Sequence, residues 1–295
     1  MSGEKKGMIA ASAAYMIFGL SYLFSKMALG IAEPMILLCV RFTVTFIALN
    51  LLVVTGAMKL NLKGKRLAGP ILMGILQPVL YFVLENYGLK YTTTSFTGMI
   101  SALCPIFTAV LGAIFLRERP NRIQWLFSCV SILGVLLVSF GGSGGQNTVL
   151  GCVCLLGAYF SGSFYSLLVR RLSKDFTAFE LTYIMFTVGF VFFLFLPFVQ
   201  FGSSAAGMLA GALGHRDFVI AAIYLGAVSS VGAYMLANYS LARLPVARQS
   251  VFQNMSTVIS VLSGVLIMGD AFTPVSLISF ALILLGVWGV NRYAG

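Results

Sequence analysis

Charge is what this sequence has least of. Asp, Glu, Lys and Arg make up 9% of its 295 residues, against 59% hydrophobic residues and a mean hydropathy of +0.98. Soluble domains carry roughly a quarter charged residues, so a water-soluble globular enzyme is excluded. Histidine is nearly absent: His215 stands alone, in a segment between two apolar runs, which excludes an intramembrane histidine proton relay. The apolar runs also lack a convincing carboxylate pair, which leaves no acid–base couple for an intramembrane enzyme. There is no GxxxxGK[ST] phosphate loop, no TVGYG filter and no ladder of arginines, which argues against ATP drive within the chain, a potassium channel and a voltage sensor. The five cysteines, Cys39, Cys104, Cys129, Cys152 and Cys154, all fall inside apolar stretches and suggest no disulfide framework. Cys152 and Cys154 have no His or carboxylate neighbour for a metal site, and no cofactor is called for.

What the chain has is long apolar runs. At about 20 residues per membrane helix, ten spans fit and leave short loops with no room for a soluble domain. Breaks by charge, Gly and Pro predict helices over 8–29, 34–56, 68–89, 94–116, 122–140, 148–169, 177–200, 217–241, 245–268 and 273–292. The first apolar run continues to Leu29, too long for the core of a cleaved signal, so it is read as a retained span. Pro34, Pro120 and Pro274 sit at or just before helix starts, where a missing N–H is harmless. Pro105 falls mid-span and predicts a kink or a locally opened helix.

The net charge of +11 is read as topogenic rather than as a sign of nucleic-acid binding. Lys5, Lys6, Lys59, Lys63, Lys65, Arg66, Arg117, Arg119, Arg122, Arg170, Arg171, Lys174, Arg243, Arg248 and Arg292 fall on one side of the ten spans. The other side's loops hold only Lys90 and Arg216, while Lys26 and Arg41 lie within spans. The imbalance predicts a multi-pass protein with both termini in the cytoplasm.

Self-comparison reveals a repeat. Residues 84–138 overlay 236–290 without a gap, placing Leu84, Asn86, Tyr87 and Leu89 on Leu236, Asn238, Tyr239 and Leu241. The same register places Gly112 on Gly264, Leu133-Gly134-Val135 on Leu285-Gly286-Val287, and Glu118 on Asp270. A weaker register relates the first span to the sixth, with Ala14-Tyr15 on Ala158-Tyr159 and Lys26 on Arg170. Five spans per copy is an odd number, so the second copy must be inverted, as in secondary transporters with a midplane site. The predicted fold class is an all-α polytopic membrane protein with two inverted five-helix repeats, 1–140 and 148–295, joined by a glycine-rich linker over 141–147. A purely structural duplicated bundle is the alternative.

The stretch NYGLKYTTTSFTGMISALCPIFTAVLGAIFLRERP, followed by ILGVLLV, resembles the EamA-type family of the drug/metabolite transporter superfamily. The shared features are Thr92 to Ser95 after the third span, Pro105-Ile106, Glu118 in the following turn, and Gly134-Val135. Arg41 also matches, whereas Thr257 replaces the proline in the second copy. The resemblance implies a bacterial inner-membrane carrier of amino acids or other metabolites.

Charges inside spans are costly and mark candidate functional groups. Lys26, Arg41 and Glu85 are placed in the outer third of the bundle, as an external gate or a proton-coupling group. The alternatives are snorkelling for Lys26 and a structural Arg41–Glu85 ion pair. Polar stripes at i, i+4 spacing add Gln77 and Tyr81 beside Glu85, and Ser230, Tyr234 and Asn238 on the eighth span. Thr97, Ser101 and Thr108 map under the repeat onto Gln249, Gln253 and Ser260. Tyr15, Phe18 and Tyr22 share a face of the first span, and Tyr159 is the repeat equivalent of Tyr15. The substrate-binding set is therefore Tyr15, Tyr22, Gln77, Tyr81, Ser101, Tyr159, Tyr234, Asn238 and Gln253, with helix–helix packing as the competing explanation. Glu118 and Asp270 are read as caps of the fifth and tenth spans.

The reading is a secondary-active or facilitative exporter of amino acids or similar zwitterions, working by alternating access. Import of a nucleobase, vitamin or other metabolite, and a non-transporting scaffold, are the alternatives. The expected partners are a small-molecule substrate, the lipid bilayer and, through Glu85, protons, but no nucleic acid; the assembly is read as a monomer or weak dimer.

Overall fold

The computed structural model describes residues 3–115, 122–141, 147–244 and 246–293, and among them there is no strand. Apolar runs with few backbone partners outside themselves have one economical solution in a bilayer, which is the helix. The helices are α1 (Gly3–Leu29), α2 (Pro34–Val54), α3 (Ala68–Lys90), α4 (Thr94–Ser101), α5 (Cys104–Phe115) and α6 (Arg122–Gly141). They continue with α7 (Val149–Leu172), α8 (Ala178–Phe201), α9 (Ser204–Leu213), α10 (Arg216–Leu241), α11 (Val246–Leu266) and α12 (Pro274–Arg292). Six of them, α1, α2, α3, α7, α8 and α10, are long and apolar enough to cross a membrane, and shorter apolar helices accompany them. Large apolar side chains such as Val54 (83% exposed) and Val199 (79%) point away from the protein, as lipid contact allows. Among the described residues the regular structure is all helical, and the chain is a multi-pass membrane protein.

Helix starts carry local solutions for their orphan N–H groups. Thr93, Thr148, Thr177 and Thr273 cap α4, α7, α8 and α12 by accepting from Phe96, Gly151, Glu180 and Ser276 N–H. Thr177 and Glu180 complete a reciprocal capping box. Pro34 and Pro274 open α2 and α12 as anticipated.

Three segments depart from the sequence expectation. The run 68–89 is not one regular helix: Gln77 leaves helical geometry (φ −144°, ψ 117°) ahead of Pro78, whose ring cannot continue the ladder. The run 94–116 opens locally, as Pro105 suggested, but ahead of that residue: α4 ends at Ser101 and α5 starts at Cys104, so that Pro105 sits in a first turn and not mid-span. Between α8 and α10, where a loop was expected, the small residues 204–213 form α9, and exposed His215 follows it. The backbone also widens over Tyr224–Ala233 within α10. Glu118, Pro120 and the glycine-rich stretch 142–146 lie outside the described residues, as do the side chains of Pro105, Gly112 and Gln249.

Packing follows a pattern of partners. Helix α6 lies along α12, α2 along α8, and α4 along α11. Helix α1 packs on α10 and α11, while α7 packs on α3 and α5. An aromatic cluster of Phe42, Phe82, Phe186, Phe193 and Tyr234 fills the space between α2, α3, α8 and α10. Its Phe82 and Tyr234 reach the cavity described next, with the other rings packed behind them.

Candidate functional site

A cavity of ≈ 80 Å³ lies among α1, α2, α3, α5, α7, α10 and α11. The break at Gln77 presents its side chain to α10, where Nε2 donates to the Tyr234 hydroxyl. One turn further along α3, the Tyr81 hydroxyl donates to Glu85 Oε1 at 2.6 Å, the i, i+4 contact that the stripe anticipated. Gly226 lets α10 approach α2: a Cβ there would meet Val44 Cβ at 2.7 Å, and Thr45 donates to the Gly226 carbonyl at 3.0 Å. That approach brings Ser230 within reach of Arg41, whose Nε donates to it at 3.0 Å. The guanidinium also lies over the Phe82 ring, 4.1 Å from its centroid.

Eight of the twelve residues singled out from the sequence line this cavity: Tyr15, Tyr22, Arg41, Gln77, Tyr81, Glu85, Tyr234 and Gln253. The other four lie elsewhere. Ser101, expected on the wall, donates to Gly98 O at 2.7 Å and lies 3.3 Å from the Thr257 hydroxyl, inside the α4–α11 contact. Asn238 is buried between α7 and α8, accepting from the Tyr165 hydroxyl at 2.5 Å and donating to Thr182 at 2.9 Å. Tyr159 stands behind the wall, donating to Thr97 O at 3.2 Å, its ring 6.1 Å from that of Tyr81. Lys26 sits at the end of α1, with its ammonium on the Leu89 and Thr92 carbonyls rather than reaching for solvent.

The sequence reading missed Ser25, Cys104, Tyr165, Ser166, Ser229 and Ser256, all of which line the cavity. Ser25 continues the Tyr15–Phe18–Tyr22 face by helical spacing, so its signal was available. Cys104 reaches the wall because the chain is broken just before it, which periodicity does not report.

The Arg41–Glu85 ion pair is not formed. Among the described residues the ion pairs are Lys65–Glu180 at 2.7 Å and Lys90–Glu33 at 2.6 Å. Arg41 (2% exposed) and Glu85 (6%) each take neutral partners instead. Both Nη groups of Arg41 and Oε2 of Glu85 have no hydrogen-bond partner among the described residues. The cavity thus holds one cation and one carboxylate with open hydrogen-bonding capacity, set in tyrosine and serine walls. Among the described residues no group of three His, Cys, Asp or Glu could hold a metal ion.

The model of the EamA-like transporter family matches residues 5–140 and again 149–292. A protein of Bacillus subtilis named "Uncharacterized transporter YcxC" is 34% identical over 96% of this chain and 92% of its own length. One of Streptantibioticus cattleyicolor, named "Probable terminal-alkyne amino-acid exporter", is 27% identical over 72% of this chain and 69% of its own. A solved crystal structure, 17% identical, superposes with a TM-score of 0.69 over 99% of this chain and 100% of that one, which shows a shared fold.

Proposed function

The chain belongs to the EamA-like transporter family, and from that premise we propose that it exports amino acids or similar small zwitterions across the bacterial inner membrane. The observation that carries this reading is the cavity's pair of buried opposite charges. A free amino acid offers a carboxylate to the open Nη fork of Arg41 and an ammonium to Glu85 Oε2 and the surrounding tyrosine rings. The two charges are not in ion-pair contact, so each still gains from a ligand that brings the opposite sign into hydrogen-bonding reach. A phosphorylated substrate would need several cations, whereas Arg41 is the cation on the wall.

Alternating access needs two halves and two closures. Counting α4 with α5 as one broken span, and α6, α11 and α12 as spans, gives ten. The two matches of the family model support a duplicated chain, with repeats over 1–140 and 148–295. The packing partners support inversion: α1 on α10 is the counterpart of α7 on α3, and α1 on α11 the counterpart of α7 on α5. The positive-inside distribution supports cytoplasmic termini. Substrate would sit among Tyr15, Tyr22, Gln77, Tyr81, Tyr234 and Gln253, with Ser101, Tyr159 and Asn238 packed behind. Lys26 would act as part of the outer gate, and Glu85 as the group that couples movement to protons.

The test is counterflow of a labelled amino-acid panel in proteoliposomes, with the corresponding amines and nucleobases as controls. Saturable exchange of amino acids, and none of their decarboxylated amines, is expected. Exchange of nucleobases with silence from every amino acid would overturn the reading.

A further inference from the structure

Two cations at opposite ends of the bundle make the same contact. Lys26 Nζ donates to the Leu89 carbonyl at 2.8 Å and also to the Thr92 carbonyl. Arg170 Nη1 donates to the Leu241 carbonyl at 2.9 Å. Lys26 and Arg170 are equivalent in the register that pairs Ala14-Tyr15 with Ala158-Tyr159. Leu89 and Leu241 are equivalent in the separate register that pairs the two Asn-Tyr-x-Leu stretches. Two alignments with different offsets therefore converge on one interaction, which chance matching of apolar segments does not produce.

The other side of each contact is equally matched. Where α7 begins, a Cβ on Gly151 would lie 2.6 Å from Thr92 Cγ2 and 3.1 Å from the Tyr91 carbonyl. Where α1 begins, a Cβ on Gly7 would lie 3.2 Å from Leu244 Cγ and 3.3 Å from Arg243 Cβ. Gly7 is the equivalent of Gly151, Arg243 of Tyr91, and Leu244 of Thr92. At each face, then, the end of one helix is held by a cation from its own half and abutted by a glycine from the other. The ends concerned belong to α3 and α10, the helices that carry Gln77, Tyr81, Glu85 and Tyr234 to the cavity.

We propose that Arg170 is a positioning residue of the transport cycle, the cytoplasmic counterpart of Lys26, and that the two form latches that release in turn. The proposal rests on the alternating-access reading above. The last carbonyls of a helix lack intrahelical donors and carry the negative end of its dipole, so a cation is a fitting clasp. Neither Lys26 nor Arg170 has a carboxylate partner within ion-pair distance among the described residues. A clasp on carbonyls can be exchanged for water as the face opens, without stranding a buried anion. The end of α10 also has room to move, because a groove of ≈ 1000 Å³ lined by Ala13, Lys174, Met235, Tyr239 and Arg243 runs beside it.

The experiment uses the full chain with Cys104 as its sole cysteine, since Cys104 lines the cavity. Cys39, Cys129, Cys152 and Cys154 are replaced by serine or alanine, and a membrane-impermeant thiol reagent is applied from each side of oriented vesicles. Arg170→Gln is expected to raise labelling several-fold from the cytoplasmic side, where α1 begins, and not from the other. Lys26→Gln is expected to do the reverse. Arg170→Lys, which keeps the charge but loses the fork, is expected to fall between Gln and the unsubstituted chain, and it serves alone should Arg170→Gln fail to fold. Labelling that rises from the same side in both variants, or is unchanged in Arg170→Lys and Arg170→Gln, would overturn the proposal. The readout needs no substrate, so silence in the amino-acid counterflow with sided labelling intact would remove the substrate reading and leave the latches standing.

Discussion

The Ser131 hydroxyl donates to the carbonyl of Ile283 at 3.0 Å, and in the sequence overlay of 84–138 on 236–290 these two residues fall on each other. A contact between equivalent positions lies next to whatever axis relates the two copies. The neighbouring glycines are arranged to match: a Cβ on Gly134 would meet Ser279 O at 2.8 Å, and one on Gly286 would meet Phe127 O at 2.5 Å. Residues 127 and 279 are equivalent in the same overlay. Close backbone approach of this kind is how helices associate in lipid, where apolar burial offers little between them.

That geometry makes the α6–α12 contact intolerant of a methyl group. Gly286→Ala would place Cβ 2.2 Å from Ser131 Oγ, so the helices must part. A loss of about 1–3 kcal/mol is expected, as for other overpacked sites. Gly207→Ala, whose Cβ would meet nothing within 4 Å inside α9, is the control and is expected to hold or slightly raise stability, as an unhindered helical Gly→Ala change does. Thermal unfolding of the detergent-solubilised protein reads both, and a Gly286→Ala melting point equal to that of the control would refute the packing account.

Asp270 does not cap the helix that follows it. Its Oδ2 accepts from the Ser95 backbone N–H at 2.8 Å, in the first turn of α4, while Thr273 caps α12. Proximity in sequence suggested the nearer helix, but the carboxylate was free to satisfy an orphan donor across the bundle. Thr273→Ala and Asp270→Ala are each expected to cost about 1 kcal/mol. They differ in place: hydrogen exchange at the start of α4 is expected to rise in Asp270→Ala only. Faster exchange at the start of α12 in that variant would restore the local cap.

The limits of the sequence reading have the same physical origin. Span positions were legible because membrane helices announce themselves by length and hydropathy, and α2, α6 and α8 begin within a residue of expectation. Stripe residues on regular stretches of helix were also legible, and Tyr15, Tyr22, Tyr81 and Glu85 reach the cavity. Helix breaks were less so. Pro78 was visible in the sequence, yet which carbonyls it freed and where Gln77 would turn depended on α10. Ser101 and Asn238 failed as wall residues because periodicity gives a shared face without naming its neighbour, and theirs is another helix.

Arg41 offers a test of substrate recognition that is separate from folding. Its Nε is held by Ser230, leaving the two Nη groups for a carboxylate. Arg41→Lys keeps a cation over Phe82 but removes the fork. Losing one charge-assisted hydrogen bond of about 1.5–3 kcal/mol predicts a rise in the half-saturating concentration of about tenfold or more. An amino-acid amide, which lacks the carboxylate, is expected to compete only weakly with exchange and to lose less of that competition in Arg41→Lys than the amino acid loses in affinity. Equal losses for both ligands would point to a structural role.

Glu85 separates coupling from passage. Its Oε1 is occupied by the Tyr81 hydroxyl, and its Oε2 has no partner among the described residues, so protonation there changes the charge that the cavity presents to an ammonium. In Glu85→Gln the amide can still accept from Tyr81, and the site can still close, but it no longer titrates. Exchange of labelled for unlabelled substrate is therefore expected to persist, while stimulation of net export by an imposed pH gradient disappears. Tyr81→Phe, which removes the hydroxyl and leaves Glu85 free to titrate, is expected to retain a gradient response. Both fluxes are measured in the same proteoliposomes. A gradient response in Glu85→Gln equal to that of the unsubstituted chain would place the coupling group elsewhere.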